Sequence, residues 1–286
     1  MGIERNAAAL LLKMRSDGVR FGRVLTLGRQ HLHLDAETHA RVLERLGVPG
    51  ADGPRPYADS LLLAFGATGV ESIDASNYQG ATIVHDLNAP PPQSLRAQFD
   101  LVFDGGTLEH IFDAARALRT CMELVRPGGR FVSASIPNNW CGHGFYQFSP
   151  EFFYRALSPA NGFTVIEMYL VDVDGRRPFN VLDPAAVGAR AELCNNEPLY
   201  LLVHARRDRE CQVFAAMPQQ SDYVRDWSDP ERPGQRTAPA AWKALPLVRD
   251  VRRVRQRFLG ALARRRRRRQ RSLANRRFYT PADLRI

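Results

Sequence analysis

Long apolar runs are missing from this chain. None reaches the roughly 20 residues that a bilayer-crossing helix needs, so no membrane span is expected. The early apolar stretch Ala7 to Leu12 ends at Lys13 and has no small-residue cleavage site, too short for a secretory leader. Cysteine is sparse and unpaired. Cys121, Cys141, Cys194 and Cys211 form no Cys-x-x-Cys unit, which excludes a zinc-ribbon pattern and a disulfide framework. Lysine is nearly absent, with Lys13 and Lys243 standing against 38 arginines. Such a bias suggests a GC-rich coding sequence, so the choice of arginine carries little information. A reduced, cytoplasmic protein is the expectation.

What is present is an ordinary core and an uneven charge. Of 286 residues 44% are hydrophobic, enough for one large domain and an appendage. The formal charge of +10 is not spread evenly. Between Arg249 and Arg277 lie 14 arginines and one acid, Asp250, so that segment carries +13 and the rest of the chain −3. An argument from basicity to a polyanionic partner concerns that segment alone.

Along the chain, short apolar runs alternate with amphipathic ones. Residues 3–16 fit a short helix. Strands are expected at Arg23 to Leu27, Val70 to Asp74, Ala81 to His85, Phe99 to Asp104, Arg130 to Ile136, Phe163 to Val171 and Leu199 to His204. Asp35 can cap a helix with Val42, Leu43 and Leu46 inward, and a shorter helix covers Tyr57 to Phe65. Ile111, Ala115, Leu118, Met122 and Val125 step by three and four, the buried stripe of a helix. Ser149-Pro150-Glu151 combines a capping hydroxyl, a proline at the first helical position and an acid near the positive end. Strands alternating with helices imply a mostly parallel sheet. The last two strands have no helical pattern of their own and suit an antiparallel edge. Residues 1–215 then form the domain, 216–240 a linker, and 241–286 a basic amphipathic helix and tail.

The most informative stretch is Phe99-Asp-Leu-Val-Phe-Asp104-Gly105-Gly106-Thr107-Leu108-Glu109-His110, followed by a helix and Pro127-Gly128-Gly129. It places a polar loop at the carboxyl end of a parallel strand, where open α/β sheets bind ligands. With Asp74 and Asp86 closing the second and third strands, it resembles the class I S-adenosylmethionine-dependent methyltransferases over about residues 20–207. That resemblance implies a Rossmann-like, seven-stranded, mostly parallel sheet with helices on both faces and an antiparallel C-terminal strand. It further implies S-adenosylmethionine as cofactor. Asp74 would take the ribose hydroxyls, which a carboxylate can accept together. Asp86 would meet the adenine amino group with Leu87 against the ring, and Asp104 and Gly105 would flank the methionine part.

The first strand departs from the family, which places an acid and then Gly-x-Gly-x-Gly there. This chain has Thr26-Leu27-Gly28-Arg29-Gln30-His31-Leu32, so only Gly28 remains. Arg29 could grip the cofactor's carboxylate in a bidentate pair, or Gln30 and Leu32 could fill the pocket. The second informative stretch, Pro137 to Pro150, holds His143 between Gly142 and Gly144 with aromatics around it. His143 could take a proton from an acceptor, with Tyr146 bonding that acceptor. Alternatively His143 caps a backbone carbonyl while Phe145 and Phe148 anchor the loop. His110 has the same two readings, proton transfer or orientation of its own loop. His31-x-His33-x-Asp35 offers no fourth ligand, and no metal is expected.

Two functions follow. One is methyl transfer to oxygen or nitrogen of a small molecule or a glycan or lipid precursor. The other is a catalytically silent scaffold of the same fold that binds a partner or an anionic membrane surface. For residues 241–286 three readings compete: docking on the core, peripheral attachment to anionic lipid, and phosphate binding on nucleic acid. The body's negative charge and lack of a nucleic-acid motif weigh against the last.

Overall fold

A computed structural model describes residues 2–48, 53–228 and 269–286. In chain order the elements are β1 (Gly2–Ile3), α1 (Arg5–Ser16), β2 (Gly22–Leu27), β3 (His31–Leu32), α2 (Ala36–Arg45), α3 (Asp59–Ala64), β4 (Ala67–Asp74) and β5 (Ile83–Val84). Then come β6 (Phe99–Asp104), α4 (Ala114–Leu124), β7 (Val125–Asn138), α5 (Pro150–Ala156), β8 (Phe163–Asp172), β9 (Phe179–Val181), α6 (Pro184–Val187), β10 (Leu199–Arg207), α7 (Ser221–Ser228) and β11 (Tyr279–Pro281).

The helix starts have local causes. Asp35 accepts from the Thr38 N–H at 2.7 Å, Ser149 caps α5, and Asp113 accepts from the Arg116 N–H at the head of α4. Glu4 caps α1 by accepting from the Asn6 and Ala7 N–H groups. Strand residues alternate between two cores, one on each face of the sheet. Leu25, Val102 and Phe131 point to the cluster that holds α4 and α5. Val24, Leu101, Phe103 and Val132 point to the cluster that holds α1, α2 and α3.

The main sheet has nine strands in the order β11-β9-β8-β10-β7-β6-β2-β4-β5. From β5 through β4, β2 and β6 to β7 every pairing is parallel. The chain leaves β2 toward β4 and β5 and returns on the other side to β6 and β7. That reversal opens a crevice at the carboxyl ends of β2 and β6, the expected ligand position in such sheets. The fold is thus the Rossmann-like one expected, with one correction. Nine strands replace seven, because β9 and β11 extend the far edge. The expected antiparallel C-terminal strand is β10, which pairs with both β7 and β8, and β9 runs antiparallel to β8 toward the edge.

The third strand is shorter than expected, only Ile83–Val84. Beside it the Thr82 hydroxyl accepts from the Ser72 N–H and donates to the Ser72 carbonyl, so side-chain bonds replace the ladder. α7 lies in the stretch expected as linker, tied to the body where the Ser221 N–H donates to Glu151 and Arg190 pairs with Asp222. The end of the basic segment also folds: Tyr279 in β11 is fully buried. The remainder of the expected linker, and the helix and arginine run up to Arg268, lie outside the described residues. Among the described residues no helix is long and apolar enough to cross a membrane.

Candidate active site

The loop after β2 turns on Gly28, whose φ of +67° lies in the left-handed region that suits glycine. Thr26, standing where the family carries an acid, donates its hydroxyl to the Gly28 carbonyl at 2.8 Å and closes the turn. Arg29 lies over the Tyr57 ring at 4.0 Å, with its Nε 3.4 Å from Asp59 and Nη1 donating to the Gln79 carbonyl. Leu32 is buried among α1 and α2 residues. Gln30 is buried too, and its Nε2 donates to the Leu27 carbonyl. Its Oε1 has no partner. That oxygen lies against Gly105, where an added Cβ would sit only 2.1 Å away. The amide therefore occupies the crevice floor between β2 and β6.

Asp74 ends β4, half-buried, and accepts from the Ser76 N–H on one oxygen. Asp86 is exposed and closes a turn by accepting from the Asn88 N–H at 2.9 Å and its side-chain amide at 2.8 Å, which lowers its pKa. Leu87 is packed into the core on the α4 side. Asp104 is fully buried and faces inward. It accepts from the Thr107 N–H (2.8 Å), the Leu108 N–H (3.3 Å) and the Ser133 hydroxyl (2.7 Å). Burial nevertheless pushes its pKa up, because those donors do not replace its lost hydration. Asp104 thus shapes the Gly105-Gly106 loop from below, and Gly105 presents its carbonyl to the Gly2 N–H at 3.0 Å.

Glu109 is the centre of the second half of the site. It is 1% exposed, and its Oε2 is buried without a partner. Burial and the nearby Asp104 carboxylate raise its pKa. Its backbone carbonyl accepts from both the Phe145 and Tyr146 N–H groups, at 2.8 and 3.2 Å, and so pins the loop from Asn139 to Phe148 to the strand end. Gly144 makes that approach possible, since a Cβ there would stand 2.8 Å from the same carbonyl. The pinned loop brings the His143 ring within 5.1 Å of the His110 ring. Burial, and then His143, lower the His110 pKa. Tyr146 spends its hydroxyl on the Phe112 carbonyl at 2.6 Å. Trp140 donates its indole N–H to the Leu199 carbonyl and packs against His143 and Tyr200.

Between these parts lies a cavity of about 290 Å³. Gly105, Gly106, Glu109 and His143 form one wall, Trp140 and Tyr200 another, and Glu4 and His33 a third. The structure therefore brings Gly105 and His143 to one cavity. Gly28, Arg29, Asp74 and Asp86 lie beyond it around the strand reversal, and Tyr146 and His110 do not line it. Glu4 and Tyr200 were not singled out by sequence, and Glu109 entered only as part of the Thr107-to-His110 stretch, without a role of its own. Glu4 arrives because β1 pairs with β3 and delivers the head of α1 to this rim, a contact that no local pattern announces. His31 stacks on Tyr57 and bonds Gln79, and Asp35 is committed to its helix cap.

Residues 71–133 match a family model described as a methyltransferase domain. That span runs from β4 to the middle of β7 and includes Asp74, Asp86 and the Asp104-to-His110 loop. The match agrees with the class I methyltransferase resemblance of those strands. No curated protein sequence matches the chain. Among solved structures, the chain is similar to the 1,6-didemethyltoxoflavin-N1-methyltransferase of Burkholderia thailandensis, at 18% identity over 71% of this chain and 80% of that one, TM-score 0.40. The N-methyltransferase NodS of Bradyrhizobium japonicum is 14% identical over 71% and 86%, TM-score 0.39. The [4+2]-cyclase SpnF is 16% identical over 71% and 82%, TM-score 0.40.

Proposed function

We propose that the chain is an S-adenosylmethionine-dependent methyltransferase acting on oxygen or nitrogen of a small molecule. The observation that carries this reading is the meeting, at one strand reversal, of Gly28 with Asp74 and Gly105 of the methyltransferase-matched segment. Gly105 also lines the cavity of about 290 Å³. That volume is at the small end for ligand sites, which favours a compact acceptor over an extended glycan.

Three groups fit the cofactor. Asp74 keeps one carboxylate oxygen without a hydrogen bond, suited to a ribose diol. The orphaned Gln30 Oε1 is a buried acceptor beside Gly105, suited to an ammonium group. Gln30 thus offers a polar contact where the family has bare glycine. Arg29, held by Tyr57 and Asp59, is placed to pair with a carboxylate.

The bound cofactor supplies a methyl group on an electrophilic sulfonium, open to in-line displacement. The protein's part is alignment and exclusion of water. Trp140 and Tyr200 supply apolar walls for the acceptor, and His143, exposed on the cavity lining as His33 is, offers an imidazole able to handle the acceptor's proton.

Calorimetry with S-adenosylhomocysteine tests the reading. Micromolar binding is expected, weakened at least about tenfold in Asp74→Ala through loss of charge-assisted bonds of about 1.5–3 kcal/mol each. Absence of binding at millimolar ligand would replace the enzyme by the silent scaffold.

A further inference from the structure

We propose that Glu109, His110 and His143 hold a divalent transition-metal ion at the edge of the acceptor cavity. Each residue offers one ligand atom, and these atoms all lie within 4.8 Å of one another. With metal–ligand bonds of about 2.1 Å, three donors around one ion stand roughly 3–4 Å apart. The observed separations, all within 4.8 Å, are somewhat wider than that. A carboxylate with two imidazoles is the donor chemistry of borderline ions such as Zn²⁺, Fe²⁺ or Co²⁺, whereas Mg²⁺ and Ca²⁺ prefer oxygen throughout.

The second observation is independent of that spacing. Glu109 is 1% exposed and its Oε2 has no partner. A buried carboxyl oxygen left unpaired is costly, and a cation bound at this carboxylate, displacing its proton, removes that cost.

The framework around the cluster is also fixed before any ion arrives. Two backbone N–H groups clamp the His143 loop onto the Glu109 carbonyl, Gly144 permits the approach, and the Trp140 ring packs 5.5 Å from His143. Ligands held this way lose little entropy on binding. Three protein donors leave coordination positions open, as in catalytic rather than structural sites, and Glu109 and His143 both line the cavity. Resting on the methyl-transfer reading, this implies an acceptor whose oxygen or nitrogen donor completes the coordination. With the ion bound, it would lower the pKa of that donor, whose proton would leave to water, and His143 would act as ligand in place of proton acceptor.

The test uses the untagged full-length chain, stripped with chelator and titrated with Co²⁺ while visible absorption and heat are followed. One Co²⁺ per chain is expected, displaced by Zn²⁺ but not by Mg²⁺. His143→Ala and Glu109→Gln are each expected to weaken binding by at least roughly tenfold, the loss seen even for outer-shell partners. S-adenosylhomocysteine binding and the thermal transition should be unchanged in His143→Ala, whose side chain is exposed. No stoichiometric Co²⁺ binding, or equal binding in His143→Ala, overturns the metal site. Cofactor-product binding without metal binding overturns this proposal alone. Metal binding without cofactor-product binding overturns the methyltransferase reading alone.

Discussion

A methyl group added at residue 105 would meet the Gln30 Oε1 at 2.1 Å and the Phe103 ring at 2.9 Å. The Gln30 amide cannot simply swing away, because its nitrogen is committed to the Leu27 carbonyl in a buried setting. Gly105→Ala is therefore expected to destabilise the protein by about 1–3 kcal/mol, the usual cost of overpacking. In a Gln30→Ala background the same substitution should cost measurably less, and a double-mutant cycle by urea unfolding reads the difference. Equal costs in both backgrounds would mean that Gln30 is not what confines Gly105. At this scale the sequence was legible for identity but not for direction. Gln30 in place of a glycine, and Asp104 before two glycines, are both visible in the chain. That Gln30 lies back on Gly105, and that Asp104 turns inward to Thr107, Leu108 and Ser133, depends on neighbours from other strands. Glu109 was hidden for the same reason: its burial is set by a loop that begins about 30 residues later.

Among the elements, α1, β8 and β10 are joined by one buried acid. Burial by itself raises the Glu167 pKa. His204 Nδ1 at 2.9 Å, the Tyr169 hydroxyl at 2.7 Å and the Lys13 ammonium at 3.0 Å override it and bring the value down to about 2. A folded-state pKa below the unfolded value means that the stabilisation is complete above the unfolded value, 4.5, and is lost as pH falls toward 2. Glu167→Gln should cost roughly 1–3 kcal/mol at pH 7, solvent screening included. It should also flatten the dependence of stability on pH across that acid window. Urea unfolding of both proteins at pH 7 and pH 3 checks this, and parallel pH dependences would exclude the network as the cause. Elements of this length were mostly legible, because β6, β7, β8 and β10 each contain a run rich in apolar residues and α4 shows its stripe. The two- and three-residue strands β1, β3, β9 and β11 were not, since a pairing that short leaves no periodicity to read. The interior place of β10 was equally hidden, because strand order is decided by packing across the sheet.

For the molecule as a whole, the segment that follows the arginine run bears on stability rather than charge. Phe278 and Tyr279 are buried in the core on the α4 and α5 side, while Leu284 is buried in the core on the α1 and α2 side. Backbone bonds fix the crossing between them: the Leu182 N–H donates to the Phe278 carbonyl and the Ala282 N–H to the Pro178 carbonyl. Arg45 reaches the Arg285 carbonyl at 2.8 Å, and Arg271 pairs with Glu192 at 2.8 Å. One short segment therefore closes the free edge of β9 and links both faces of the sheet. Three large side chains at about 1.5–3 kcal/mol each make this a contribution of several kcal/mol before the entropy of ordering is deducted. Deleting residues 278–286 should lower the thermal midpoint by several degrees, at roughly 2–4 °C per kcal/mol for a domain of this size. An apolar dye should bind the uncovered β9 edge. Tyr279→Ala alone should reproduce most of the shift, since its ring is fully buried and its hydroxyl donates to the Ala191 and Glu192 carbonyls. An unchanged midpoint in both variants would mean that β9 already forms a sufficient edge and that β11 adds nothing to the fold's cooperativity.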